Sequence, residues 1–275
     1  MSKEVKIIDT FIFYNELELL HYRLAILYEL VDYFIIVEST HTFTGKQKSL
    51  IYNENKHLFS NYKDKIIHIV VYDMPFIYPN INYANREQWK NEYHQRNAIQ
   101  RGLQFIKIND QDVITLTDLD EIPNPDILLD VKNKKINIEL SSLHQYCYTF
   151  NLDQYPDDWF YPKIFTYEKY KQLNLDMDSI RGQICPVIEN AGWHLSYFGD
   201  ARYIQNKIMD FSHQELNSDD VVNLDNIEHR LKTNKDIFNR HGGDFKRKCS
   251  VKDNIHLPLK YEIYLQNFFT PDNII

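Results

Sequence analysis

The chain has 275 residues, 43% of them hydrophobic and 25% charged, which is globular rather than disordered or fibrous composition. Lys and Arg number 31 against 39 Asp and Glu, a net charge of -8, so the basic surface of a sequence-independent nucleic-acid binder is missing. The three cysteines, Cys147, Cys185 and Cys249, are odd in number and widely spaced, which excludes a disulfide framework or a zinc ribbon.

No apolar run approaches the roughly 18–20 residues that span a bilayer. The charged start, Met-Ser-Lys-Glu-Val-Lys, lacks the apolar centre of a signal peptide. The expectation is therefore a chain of a reducing, cytoplasmic compartment, without a membrane segment and without nucleic acid as partner.

In chain order, Val5 to Phe13 (VKIIDTFIF) is β-branched and aromatic and reads as a strand. Leu17, Leu20, Leu24, Leu27 and Val31 recur at helical spacing, which predicts a helix over 16–31. Tyr33 to Val37 is a short continuous apolar run, the mark of a buried strand. Residues 39–50 are polar and turn-rich. Ile66 to Tyr72 reads as a third strand. Asn85 to Ile106 reads as one long helix, with Trp89, Tyr93, Ile99, Leu103 and Ile106 near one face. Asp112 to Thr117 reads as a fourth strand.

Strands alternating with helices predict an α/β fold with a mostly parallel central sheet flanked by helices. Ligands of such sheets sit beyond the carboxyl ends of the strands. That rule selects Tyr14–Glu16, Glu38–Thr40, Asp73 and Asp118–Glu121. The second half is more mixed: Asn124-Pro125 opens a short helix, strand-like runs follow near 136–152 and 160–167, and helices near 200–211 and 219–232. No linker marks a boundary, so one domain over 1–275 is expected, with the alternating pattern in 1–123 and the mixed pattern in 124–275.

Asp118-Leu119-Asp120-Glu121 follows the fourth strand directly. Three acids in four residues repel one another unless positive charge lies among them. Hard oxygen donors suit Mg²⁺ or Mn²⁺. Strand alternation points Asp118 and Asp120 the same way and Leu119 toward the core. The bland reading is a set of solvated turn acids and a helix cap.

Four stretches of the sequence resemble glycosyltransferase family 17. They are DTFIFYNELELLHYRL (9–24) with VDYFIIVESTHTFTGKQK (31–48), NEYHQRNAI (91–99), DVITLTDLDEIP (112–123), and GWHLSYFGD (192–200) with KIMDFSHQE (207–215). The resemblance implies a GT-A type fold, a UDP-sugar donor (UDP-GlcNAc), a divalent metal and inversion at the anomeric carbon, as in β-1,4-mannosyl-glycoprotein 4-β-N-acetylglucosaminyltransferases. The acceptor it implies is a glycan or glycoconjugate hydroxyl.

In this reading Asp118 and Asp120 hold Mn²⁺ or Mg²⁺ against the donor's phosphates, and His194 completes the metal shell. Phe13, Asn15, Glu38, Arg96, Asn97 and Asp118 are the candidates for holding the nucleotide. Glu121, His213 and Glu215 are the candidates for the base that takes the acceptor's proton. Trp193, Tyr197 and Phe198 offer rings for a sugar face, or plain core. Thr42–Lys48 and the Gly pair of His241–Asp244 are candidate lids. Alternatives are a transferase with another nucleotide-sugar donor and a non-glycoprotein acceptor, and an inactive nucleotide- or sugar-binding module. A metal-dependent phosphohydrolase is disfavoured, because the first strand ends in Phe-Tyr-Asn-Glu rather than a nucleophilic Asp.

Overall fold

The structure, a computed structural model, describes residues 4–233, 235–238 and 248–271. The first half alternates as the hydrophobic pattern demands: β1 (Ile7–Phe13), α1 (Leu17–Leu27), β2 (Tyr33–Ser39), α2 (Ile51–Asn55), β3 (Ile66–Val71), α3 (Glu87–Asn97), α4 (Ile99–Leu103) and β4 (Val113–Asp118). There follow β5 (Glu121–Pro123), α5 (Pro125–Lys132), β6 (Leu140–Leu143), β7 (Gln145–Thr149), β8 (Asp157–Trp159) and β9 (Lys163–Thr166). The remainder runs α6 (Tyr167–Leu173), α7 (Met177–Arg181), β10 (Val187–Ile188), β11 (Gly192–Ser196), α8 (Ala201–Asp210), α9 (Leu224–Thr233) and α10 (Tyr261–Tyr264).

A seven-stranded sheet has the order β10-β6-β9-β4-β1-β2-β3. Strands β4, β1, β2 and β3 are parallel neighbours, while β9 enters antiparallel between β4 and β6. The mixed α/β architecture, a mostly parallel sheet between helices, is consistent with a GT-A-like fold. Strand β1 lies inside and is buried from end to end. Its odd-numbered apolar residues, Ile7, Phe11 and Phe13, join one core with Leu20, Leu24 and Leu27 of α1. Ile8 and Ile12 join the opposite core with Ile99 and Leu103 of α4. Period-two alternation thus feeds both faces of one strand.

A second sheet, in the order β5-β11-β7-β8, stands at the carboxyl end of β4. Strand β5 begins two residues after β4 ends, so a tight turn joins the two sheets. The mixed topology of this second half was legible only as scattered strand-like runs.

The helix expected over 85–106 is two helices. Ala98 separates them, its N–H shared between the carbonyls of His94 and Gln95. The reason lies in what each half packs on. In α4 the apolar Ile99 and Leu103 face the sheet. In α3 the buried residues are Gln88, Asn91, Gln95 and Arg96, while Tyr93 is exposed and Trp89 only partly covered. The aromatic periodicity was therefore not the buried face of α3. Gln95 donates to the carbonyls of Phe13 and Val37, at the ends of β1 and β2, and Asn91 donates to those of Phe43 and Phe76. A polar helix face closes the open ends of the strands. The predicted helix 16–31 runs over Leu17–Leu27: at its start the Glu16 carboxylate turns back to accept from the N–H groups of Tyr14 and Asn15, and at its end the N–H groups of Leu30 and Val31 both bond the Leu27 carbonyl and close a turn.

Gly192 opens β11 with φ +149, and a Cβ there would lie 2.2 Å from the Ile122 carbonyl oxygen. Backbone cannot yield as a flexible side chain can, so this glycine is what brings β11 onto β5 and sets His194 opposite Glu121. Gly192→Ala is expected to lower unfolding free energy by at least about 1–3 kcal/mol, read as a reduced urea midpoint with unchanged slope.

Candidate active site

One cavity of about 660 Å³ opens at the carboxyl ends of β1, β2 and β4. It lies where an open α/β sheet places its ligands, and its size suits a ligand larger than a single sugar. Its floor is the turn 118–121. That turn has few ladder bonds of its own, and a buried arginine supplies them. Arg23 of α1 is 0% exposed. Its Nε and Nη2 grip both oxygens of Asp9 in the middle of β1, at 2.8 and 2.7 Å. Nη2 also donates to Thr117 Oγ1, and Nη1 donates to the carbonyls of Asp118, Leu119 and Glu121 at 2.9–3.0 Å. Thr115 Oγ1 closes the network on Asp9. Leu119 is buried in the core, as alternation predicts, and the acids on either side of it face the cavity.

Each of the three acids is met by a cation from a different helix. Asp118 accepts from Arg96 of α3 at 3.2 Å and from Arg181 of α7 at 3.0 Å. Asp120 accepts from Lys207 of α8 at 2.9 Å and has His194 Nε2 3.6 Å away. Glu121 takes both Arg181 nitrogens, at 2.8 and 2.6 Å, the Trp159 Nε1–H at 2.7 Å and the N–H of Asp118. Burial alone would raise the Glu121 carboxyl, but Arg181 and the hydrogen bonds it accepts outweigh this and hold it far below the usual carboxylate range. Burial likewise would raise Asp120, and Lys207 with His194 pull it down. Burial would lower His194; the Cys147 thiol 3.5 Å from Nδ1 and the Asp120 carboxylate outweigh it and push the imidazole up to about 9.

The cavity wall holds seven carboxylates: Glu16, Glu92, Asp118, Asp120, Glu121, Asp178 and Asp210. Facing them are four permanent cations: Lys48, Arg96, Arg181 and Lys207. His194, pushed up to about 9, adds a fifth positive charge at neutral pH, so negative charge is in excess by two among the described lining residues, and Lys46 meets one of the seven acids, Asp210, at 3.3 Å. Lys48 has the loosest ionic partner of these four, Glu38 at 3.8 Å, and burial lowers its pKa.

Of the predicted nucleotide contacts, Phe13, Arg96 and Asp118 line the cavity. Asn15 sits beside it at the end of β1, its Oδ1 buried without a hydrogen-bond partner. Glu38 and Asn97 are elsewhere. The Glu38 carboxylate is 0% exposed and accepts from the N–H groups of Tyr52 and Asn53 and from His68, fastening α2 to β2. Asn97 accepts from the N–H of Asp178 and anchors α7. Both are occupied by structural duties.

Of the predicted metal donors, Asp120 and His194 are neighbours, while Asp118 turns to the two arginines. Among the described residues no three His, Cys, Asp or Glu side chains gather close enough to hold one ion. Of the predicted bases, Glu121 is fully engaged. His213 lines the cavity, its ring edge-on to Trp89 at 4.5 Å, and its Nδ1 lies 2.7 Å from Glu215 Oε1. Among the other expectations, Trp193 and Phe198 are core residues, Trp193 bonding the His256 carbonyl and Phe198 packing on Phe268. Tyr197 does line the cavity, as do Thr42, Phe43 and Lys48 of the proposed lid. Residues 241–247, with the glycine pair, lie outside the described residues.

Sequence reasoning passed over Arg23, Lys207, Arg181, Asp178 and Trp159. Asp9 within an otherwise apolar strand was the available signal for Arg23, since a buried acid requires a cation.

Removing one partner of a buried pair leaves an uncompensated charge, so Arg23→Ala is expected to cost about 3–5 kcal/mol. The Glu121–Arg181 pair adds a pH dependence. A carboxyl lowered in the folded state binds protons more readily when unfolded, so its contribution is complete above the unfolded value of about 4.3 and is lost as pH falls below it. Arg181→Met is expected to flatten stability between about pH 4.3 and 2, measured by urea unfolding across pH.

No curated protein matches the chain. The model of the family described as Glycosyltransferase family 17 matches residues 1–246, nine-tenths of the sequence and every element that lines the cavity. The chain belongs to glycosyltransferase family 17.

Proposed function

We propose that this glycosyltransferase is metal-dependent and inverting, and that it moves N-acetylglucosamine from UDP-GlcNAc to a glycan hydroxyl. The observation that carries the reading is the cavity's charge. Seven carboxylates share one pocket with four permanent cations and the charged His194, and a nucleotide sugar would bring two further negative charges. A divalent cation would offset both. The carboxylate oxygens of Asp118 and Asp120 are hard donors with the imidazole of His194 beside Asp120, and to hold one ion together Asp118 would exchange its arginine partners for it and His194 would give up its proton. Bound there, the ion would supply charge neutralisation on the departing diphosphate.

The protein's own groups divide the remaining work. Lys48 and Lys207 both line the cavity beside Tyr14 and Glu16 and would pair with phosphate oxygens. The nucleoside would lie over the ends of β1 and β2, by Phe13 and Tyr14. The Tyr14 hydroxyl is held by Asp210 at 2.5 Å. His213 is the best-placed base. Glu215 takes its Nδ1–H, which leaves Nε2 to accept the acceptor's proton. The Glu215 carboxyl, which burial would raise, is lowered by that hydrogen bond and stays an acceptor. The acceptor oxygen then bonds to the anomeric carbon as the carbon–phosphate oxygen bond breaks, and the electron pair leaves with the diphosphate. A single in-line displacement inverts the centre.

UDP with Mn²⁺ at a hundredfold its dissociation constant is expected to stabilise the fold by about 2.7 kcal/mol, and UDP with a chelator much less. Asp120→Asn should reduce UDP-GlcNAc turnover by about 10²–10³-fold. His213→Ala should reduce transfer by about 10²–10⁴-fold and leave UDP–Mn²⁺ binding intact. Equal thermal shifts with and without metal, and full turnover by Asp120→Asn, count against the metal.

A further inference from the structure

Trp159 and Tyr161 line the cavity on the side of the second sheet, away from the ends of β1 and β2. Their ring centroids are 4.8 Å apart, and Trp159 lies 4.6 Å from the His194 ring. Tyr161 is 56% exposed, a large aromatic left in water. The backbone that carries this ring is tied down. The buried Lys163, 2% exposed, spends its ammonium on the carbonyls of Phe160 and Tyr161 at 3.1 and 3.0 Å, and on Ser142 Oγ. Phe160 is stacked on His144 at 5.0 Å. The Trp159 indole N–H is tied to Glu121 at 2.7 Å, which fixes its plane against the floor of the cavity. Ordering these groups costs conformational entropy that no core contact of Tyr161 repays. The ledge is preorganised for something that binds to it.

We propose that Trp159 and Tyr161 form the acceptor subsite, seating one pyranose ring of the glycan by its apolar face. This rests on the transferase reading of the same cavity. The chemistry favours a pyranose with axial hydrogens at carbons 1, 3 and 5, because these present a flat strip of C–H to the rings while the equatorial hydroxyls point outward. Burying that strip against an aromatic face removes apolar surface from water. Arg181, whose guanidinium carbon is 6.0 Å from the Tyr161 ring centroid, and Asp178 border the ledge and suit the hydroxyl rim. The two rings are tilted by 42°, so the flat C–H strip lies along one ring, the exposed Tyr161, and the edge of the sugar meets Trp159.

The test uses the full chain and two probes, methyl β-D-mannopyranoside and cellobiose, with saturation-transfer NMR read both without nucleotide and with saturating UDP. Transfer is expected to be strongest at hydrogens 1, 3 and 5 of one ring. Tyr161→Ala should reduce it at least threefold and Tyr161→Phe should retain it, with the unfolding midpoint of each variant unchanged. No transfer from either probe in either state, or transfer undiminished in Tyr161→Ala, overturns the subsite. The UDP–Mn²⁺ thermal shift is measured on the same samples. Saccharide transfer without a nucleotide shift would retain the ledge and sink the donor reading; a nucleotide shift without saccharide transfer does the reverse.

Discussion

The arrangement of the site depends on one buried ion pair, Arg23 with Asp9. Every N–H of the guanidinium is spent, on Asp9, on Thr117, and on three carbonyls of the turn 118–121. A buried pair of this kind contributes little net stability compared with well-packed apolar residues, because desolvating two charges offsets most of their attraction. What it supplies is geometry. Backbone carbonyls that leave a strand without ladder partners need donors, and Arg23 delivers them from one rigid planar group. The acids of the turn therefore project into the cavity from a backbone that α1 and β1 hold still.

Above that backbone, charge is matched locally and left unbalanced globally. Arg96, Arg181 and Lys207 come from α3, α7 and α8 and meet Asp118, Glu121 and Asp120. These pairs differ in what a ligand can change. Glu121 is 1% exposed, and Trp159 and Arg181 saturate it, so it behaves as a fixed strut. Asp118 and Asp120 share their cations with the open cavity. Under the proposed function, a phosphate entering there would compete for Arg96 and Lys207, and a carboxylate that lost its cation would become a better ligand for another. Charge exchange of this kind needs no large motion of the backbone.

How much of this was legible from the chain follows from the range of each interaction. Period-two and helical patterns are local, so β1, β2, β3 and β4 and the α/β class came through, and so did the acids that close β4. Position beyond a strand selected Asp120, and the stretches that resemble the family selected His194 and His213; all three line the cavity. Glu38, selected by the same strand-end rule, and Asn97, taken with Arg96 in mid-helix, bond to backbone N–H groups instead. A strand end can serve a helix cap as well as a ligand, and only the fold shows that α2 and α7 need those oxygens. The helix 85–106 failed for a related reason. Its aromatic stripe suggested a buried apolar face, while in α3 the partners are backbone carbonyls at the strand ends, which select Gln95 and Asn91 instead. Arg23, Lys48 and Lys207 all lie within the stretches that resemble the family, yet nothing local distinguishes them, and Asp9 stands out only as an acid in an apolar strand. Arg181, Asp178 and Trp159 lie outside those stretches. Arg181 acts across 60 residues to Glu121, and such pairings leave no trace in spacing.

The two sheets meet at the turn that carries the acids, and this makes the halves of the cavity mechanically dependent. Strand β5 continues directly from that turn and pairs with β11, which presents His194, while β8 presents Trp159 to Glu121. A shift of the second sheet would therefore reach Asp120 and Glu121 through bonds rather than through solvent. In a single displacement the attacking oxygen, the anomeric carbon and the leaving oxygen must lie in line, and an error of about 1 Å costs about a hundredfold in rate. Joining both walls of the cavity to one short turn, tying that turn to Arg23, and packing β1 of the first sheet and β5, β7 and β11 of the second into one core would keep that error small.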